Sequence, residues 1–140
     1  MIEFDSSSGD ILIDGESFPR QTQENMNGHF VGENIYSSLN KKTVNTENKP
    51  CDITAYYKNG RLTRVTVSLD SEFIRQTYTA PADLDFRDYM TPYIDFCKRE
   101  TEKLRKSIIE TSKNTFAWGK LQVVTDPRDH YTFIEIKYGT

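Results

Sequence analysis

Between residues 51 and 69, two runs in which apolar and polar residues alternate flank Lys58-Asn59-Gly60. The first run is Cys51-Asp52-Ile53-Thr54-Ala55-Tyr56-Tyr57, and the second is Arg61-Leu62-Thr63-Arg64-Val65-Thr66-Val67-Ser68-Leu69. Successive strand side chains point to opposite faces, so this alternation requires a sheet with one face buried. Asn-Gly supplies the positive φ that a tight hairpin needs. A two-residue Asn59-Gly60 turn would pair Ile53 with Thr66 and Thr54 with Val65, mixing polar and apolar residues on each face. A three-residue Lys58-Asn59-Gly60 loop with left-handed Gly60 pairs Ile53 with Val65 and Cys51 with Val67, which gives one apolar face. The second register is the expected one, and it places Tyr56 and Leu62 away from the core.

Weaker signals flank this hairpin. Ile11 and Ile13 alternate with Asp10, Leu12 and Asp14 ahead of the Asp14-Gly15 pair, which predicts a hairpin near residues 10 to 18, stopped by Pro19. Residues 20 to 28 and 40 to 50 have loop composition, and residues 29 to 39 read as a strand with a bulge at Gly32. Residues 71 to 79 continue as a third strand up to Pro81, and residues 83 to 90 allow a helical turn or two. Thr91-Pro92 starts a helix, with Thr91 as N-cap. In that helix Ile94, Cys97, Thr101, Leu104, Ile108 and Thr111 recur at helical spacing, while Lys98, Arg99, Glu102, Lys103, Arg105 and Lys106 fill the wet faces. At the end of the chain, residues 116 to 124 and 130 to 138 form a hairpin around Asp126-Pro127-Arg128-Asp129. Its four-residue loop pairs Leu121 with Ile134 and Lys120 with Glu135. A chain of 140 residues is the size of one domain, 1 to 140. The expected fold is α+β, a mainly antiparallel sheet of five to seven strands built from hairpins, with one long amphipathic helix packed on it.

No catalytic apparatus is legible. His29 and His130 suit proton transfer by their ordinary pKa, but no nucleophile elbow, Cys-His neighbourhood or His-x-x-x-His spacing accompanies them. Cys51 and Cys97 fall on core positions as small hydrophobes, and without a motif spacing they are expected to stay reduced. Asp83, Asp85 and Asp88 lack a calcium-loop pattern and read as acids at a helix start. The glycines form no phosphate-cradling series. Catalytic residues, metals and cofactors are therefore not expected.

Charge is distributed unevenly. The net charge is −3, which disfavours nucleic acid as a partner. Residues 1 to 34 hold seven acids and one base, whereas the rest of the chain carries 17 bases against 14 acids. The start lacks the basic and apolar regions of a leader, and no run approaches the roughly 20 apolar residues of a bilayer span, so a cytoplasmic protein is expected. Trp118, Val124, Tyr131 and Phe133 fall on the sheet face opposite to Leu121 and Ile134, where aromatic rings can anchor a partner.

In its size, its acidity, its polar loops and its want of catalytic residues, the chain resembles small acidic bacterial toxin-immunity proteins. The resemblance implies a stoichiometric inhibitor that masks a basic toxin nuclease. The expected partner-binding residues are Asp5, Asp10, Asp14, Glu16 and Glu24 in the acidic quarter, with Tyr131 and Phe133 on the sheet. The alternatives are a secretion chaperone or adaptor that holds a partner's segment at its sheet edge, a small enzyme using His29 or His130, and a single-strand nucleic-acid binder using the aromatic sheet faces.

Overall fold

The computed structural model describes residues 2–21, 28–30, 35–38, 42–46, 49–80, 82, 90–128 and 130–139, with 28–30, 35–38 and 42–46 as backbone alone. Strands β1 (Ile2–Asp5), β2 (Asp10–Ile13) and β3 (Glu16–Ser17) form a three-stranded sheet. A second, eight-stranded sheet is built from β4 (Gly28–Phe30), β5 (Ile35–Ser38), β6 (Lys42–Thr46), β7 (Lys49–Lys58), β8 (Arg61–Leu69), β9 (Thr115–Phe116), β10 (Gly119–Thr125) and β11 (Thr132–Tyr138). Its order is β4-β5-β7-β8-β11-β10-β9, with β6 also on β7, and every pairing is antiparallel. Five strands, β7-β8-β11-β10-β9, make the fully described body of the sheet, and β4, β5 and β6 extend it. The α+β antiparallel class is thus as expected. The strand count of the large sheet is higher: the stretch from 40 to 50 that reads as loop contains β6 and the start of β7, and β4 and β5, paired antiparallel, take the place of the one bulged strand expected over residues 29 to 39.

The central hairpin reaches its apolar face by a route that differs from the expected one. Asn59 and Gly60 have φ of 51° and 76°, so the turn has two residues, Lys58 pairs with Arg61 and Tyr57 with Leu62. Left alone, that register would mix the faces. A bulge at Thr63, whose Oγ1 donates to the Tyr56 carbonyl at 3.1 Å, shifts the ladder so that Ala55 pairs with Val65, Ile53 with Val67 and Cys51 with Leu69. The shift turns Leu62 inward, and it is buried, contrary to its expected outward position. The C-terminal hairpin is likewise offset. Leu121 pairs with Ile136 and Val123 with Ile134, because the Asp126 N–H donates to the Tyr131 carbonyl at 2.8 Å and closes a longer loop. An offset of two residues leaves each side chain on its expected face.

Among the described residues there are two helices where one long helix was expected. Residues 71 to 79 do not make a third strand, since α1 (Ser71–Thr77) forms there. The Asp70 carboxylate accepts the Phe73 N–H at 3.2 Å as an N-cap, Glu72 and Arg75 pair one turn apart, and Phe73 and Ile74 are adjacent where a half-buried strand would alternate. The long helix α2 (Met90–Ile108) starts one residue ahead of the expected N-cap Thr91. It buries Cys97, Thr101, Leu104 and Ile108 as expected, leaves Ile94 half-buried, and ends before Thr111.

The core lies on one face of the large sheet. Ile53, Ala55, Val65, Val67, Leu121, Ile134 and Ile136 are at most 1 % exposed there. Helices α1 and α2 and the small sheet contribute Ile74, Leu104, Ile2 and Ile11 to the same cluster. Burying each such valine, leucine or isoleucine stabilises the fold by about 1.5 to 3 kcal/mol. The small sheet is fixed by aromatics, with Phe4 edge-on to Phe116 and Trp118 at 6.3 and 6.0 Å between centroids. Trp118 Nε1 donates to the Ser6 carbonyl at 2.8 Å, Tyr138 Oη to the Gly9 carbonyl at 2.8 Å, and buried Tyr57 Oη to the Pro19 carbonyl at 2.7 Å. Trp118 therefore packs between the sheets and is not on an open face.

Candidate functional site

The acidic residues sit on the small sheet. The expected turn at Asp14-Gly15 is present, with φ of 52° and 84°. It joins β2 to β3, while β1, unexpected from the sequence, pairs Ile2 with Ile13 and Phe4 with Ile11 on the buried face. That pairing leaves Glu3 and Asp5 outward, and Glu3, Asp5, Asp14 and Glu16 are all exposed. Asp5 also holds the following turn, accepting the Ser7 N–H at 2.9 Å and Ser7 Oγ at 2.6 Å, and these hydrogen bonds lower its pKa. Asp10 differs from the others. It is half-buried and pairs with Arg20 at 2.8 Å, and the Arg20 guanidinium lies 4.0 Å from the centre of the Tyr138 ring. Glu24 lies outside the described residues.

The remaining expected contacts are at the far end of the large sheet. Tyr131 is exposed, its hydroxyl bonded to Ser68 Oγ, and its ring is 5.9 Å from that of half-buried Phe133. Phe133 pairs across the strand with Val124. These residues lie at the loop end of β10 and β11, whereas the small sheet is anchored at the other end, by Tyr138 and Trp118. The acidic residues and the aromatic pair therefore lie apart, as two alternative surfaces for a partner. Tyr56 stays on the open face, but Arg64 covers its ring at 4.1 Å and also pairs with Glu135 at 3.1 Å.

The enzyme candidates separate as well. His29 is on edge strand β4, whereas His130 is in the loop before β11, with β5, β7 and β8 between the two strands in sheet order. His130 lines a small cleft of about 60 Å³ between α1, α2 and β11, with Ser71, Tyr93, Cys97, Thr101 and Tyr131. Among the described residues no carboxylate lines it. Burial pushes the Cys97 thiol up, against a hydrogen bond from Tyr93 that lowers it, so the protonated form persists at neutral pH. The cleft is lined by hydroxyl and thiol groups beside the imidazole of His130. Among the described residues no three His, Cys, Asp or Glu side chains converge as metal ligands. Asp83, Asp85 and Asp88 lie outside the described residues. No described helix is long and apolar enough to cross a membrane.

Sequence reasoning missed Arg105. Placed among the wet residues of α2, it is 9 % exposed, and it donates to the Thr111 carbonyl at 3.3 Å, the Lys113 carbonyl at 3.0 Å and Asn114 Oδ1 at 3.1 Å. It thus ties the loop after α2 back to the helix. No periodicity signals this, because an arginine at a helix end is ordinarily solvated.

Burial also pushes up the phenols of Tyr57, Tyr93 and Tyr138, with Tyr138 raised furthest. A group that ionises less readily when folded contributes stability that is whole below its unfolded pKa and is lost as pH rises above it. Unfolded thiols and phenols ionise near pH 9 and 10 respectively. The melting temperature is expected to hold up to about pH 9 and to fall beyond about pH 10, with a shallower fall for Tyr138→Phe. Calorimetry from pH 7 to 11 checks this, and equal slopes for both proteins would count against Tyr138 as a source.

No family model, curated protein or solved structure matches the chain.

Proposed function

We propose that the protein is a non-catalytic binding protein whose acidic small sheet docks a basic protein partner, as an immunity-type inhibitor would mask a toxin nuclease. The observation that carries this reading is the charge of residues 2–21. Glu3, Asp5, Asp14 and Glu16 are exposed, while Arg20, the single base of that stretch, is taken up by Asp10 and Tyr138. A surface of one sign speeds encounter with a partner of the other sign, and salt weakens the effect. The aromatic anchor of the small sheet keeps this surface in a fixed place, so the partner would meet it with little ordering cost.

The partner to test first is the product of the neighbouring reading frame, the expected position of a toxin gene. Replacing Glu3, Asp14 and Glu16 by Lys should slow association at least tenfold at low salt and leave the melting temperature within a few degrees, since all three side chains are exposed. The same reversal at Glu72 and Asp95, exposed on α1 and in α2, should change the rate little. Stopped-flow association over a range of ionic strength measures both. Wild-type rates for the triple variant would reduce the acidic surface to a solubility feature.

A further inference from the structure

We infer that the outer edge of β10 and the groove beside it bind an extended, acidic segment of a protein partner as an added strand. The Leu121 N–H donates to the Asn114 carbonyl at 2.9 Å, so the backbone groups of Leu121 point away from β11. Backbone groups alternate along an antiparallel strand, and those of Val123 and Thr125 therefore point outward as well. Strand β9 covers this edge at Gly119 and Lys120 only. Beyond Leu121, no described strand pairs with it. An open row of N–H and C=O groups selects an extended backbone.

The groove next to this edge has a volume of about 370 Å³ and is lined by Glu102, Arg105, Ser112, Asn114, Gln122 and Val123. Its chemistry favours an acid. Arg105 is nine-tenths buried, and no carboxylate pairs with it among the described residues. Its hydrogen bonds to Thr111, Lys113 and Asn114 use three of the guanidinium's five N–H groups. The Nε–H and one Nη1–H have no described partner, and a carboxylate is the partner that matches a guanidinium best. A strand laid on Val123 would place alternate side chains over the groove, within the region that Arg105 lines. Glu102 at the rim opposes an acidic ligand, which gives the site a charge that can be reversed without touching the core. The inference is independent of the acidic small sheet, none of whose residues line the groove.

The test is selection from a displayed library of nine-residue peptides with a fixed central Glu, run beside matched libraries with central Gln and central Lys. Enrichment is expected from the Glu library alone, and the selected peptide should slow amide exchange at Val123 and Thr125 at least tenfold. Val123→Pro, which removes the outward N–H and leaves the β11 ladder intact, should weaken binding at least tenfold. If that variant does not fold, Glu102→Lys decides, since this exposed change should tighten the same peptide severalfold. No enrichment, equal enrichment from the three libraries, protection confined to other strands, or no tightening by Glu102→Lys would each overturn the inference.

Discussion

Gly119→Ala is expected to cost more than about 3 kcal/mol, a large part of the stability of a marginally stable domain. Gly119 opens β10 with φ of 156°, and a Cβ built there would lie 2.0 Å from the Lys137 carbonyl oxygen and 3.1 Å from Tyr138 Cα. Both obstacles are backbone of the neighbouring strand β11, so no rotamer change relieves them and the ladder itself must move. Tyr138 follows directly and fastens the small sheet through Gly9, so strain at this point reaches both sheets. Gly15→Ala is the matched control. Its φ is 84°, but a Cβ there meets nothing within 4 Å, so only the left-handed strain of about 1 kcal/mol should appear. Urea denaturation of both variants measures the difference. Similar costs would show that the close approach of Gly119 to Lys137 is wrong.

How much of this fold was legible depends on what each signal reports. Alternation in residues 51 to 69 and 119 to 138 reports which face is buried, and nearly every side chain assigned to the core from it is there. It does not report the partner residue. Two registers that differ by two residues bury the same face, which is why the C-terminal pairing is offset while its faces are right. The central hairpin adds a second reason. Asn59-Gly60 dictates a two-residue turn and the apolar pattern forbids its direct continuation, and the bulge at Thr63 satisfies both. Leu62, on the turn side of the bulge, is the residue whose face it reverses. Neither β1 nor α1 was expected, although each has a local signal, the short alternation Ile2-Glu3-Phe4-Asp5 and the N-cap Asp70 followed by Glu72 in the first turn.

The candidate site was legible where a residue's role is local. Asp14 and Glu16 beside a turn, and Glu3 and Asp5 on a short alternating strand, are exposed for reasons contained in a few neighbouring residues. Asp10 was not, because its partner Arg20 comes round only after the hairpin has formed. The same holds for Trp118, which is covered by Ser6 and Gly9 from the opposite end of the chain. Long-range cover of this kind leaves no mark in local periodicity, and it leaves both residues only partly exposed.

The three consecutive residues of α2 that sequence and structure divide differently should separate the two readings most clearly. Periodicity alone makes Leu104 the buried residue and puts Arg105 and Lys106 together in solvent. The structure buries Leu104 to 1 % exposure and Arg105 to 9 %, and leaves Lys106 exposed. Leu104→Ala should therefore cost about 2 to 5 kcal/mol, the loss of a leucine packed in a cluster with Cys97, Ile108 and the sheet. Lys106→Ala should stay within about 0.5 kcal/mol. Arg105→Ala should cost about 2 kcal/mol or more, because the Thr111 and Lys113 carbonyls and the Asn114 side chain lose a charged donor together. Arg105→Lys keeps the charge but not the planar fork that reaches three acceptors, so it should recover only part of that loss. Chemical denaturation of the four variants gives the order Leu104→Ala, Arg105→Ala, Arg105→Lys, Lys106→Ala from most to least damaging. If Arg105→Ala behaves like Lys106→Ala, the guanidinium is not holding the loop after α2, and the stability of that loop must come from Leu121 and its bond to Asn114 instead.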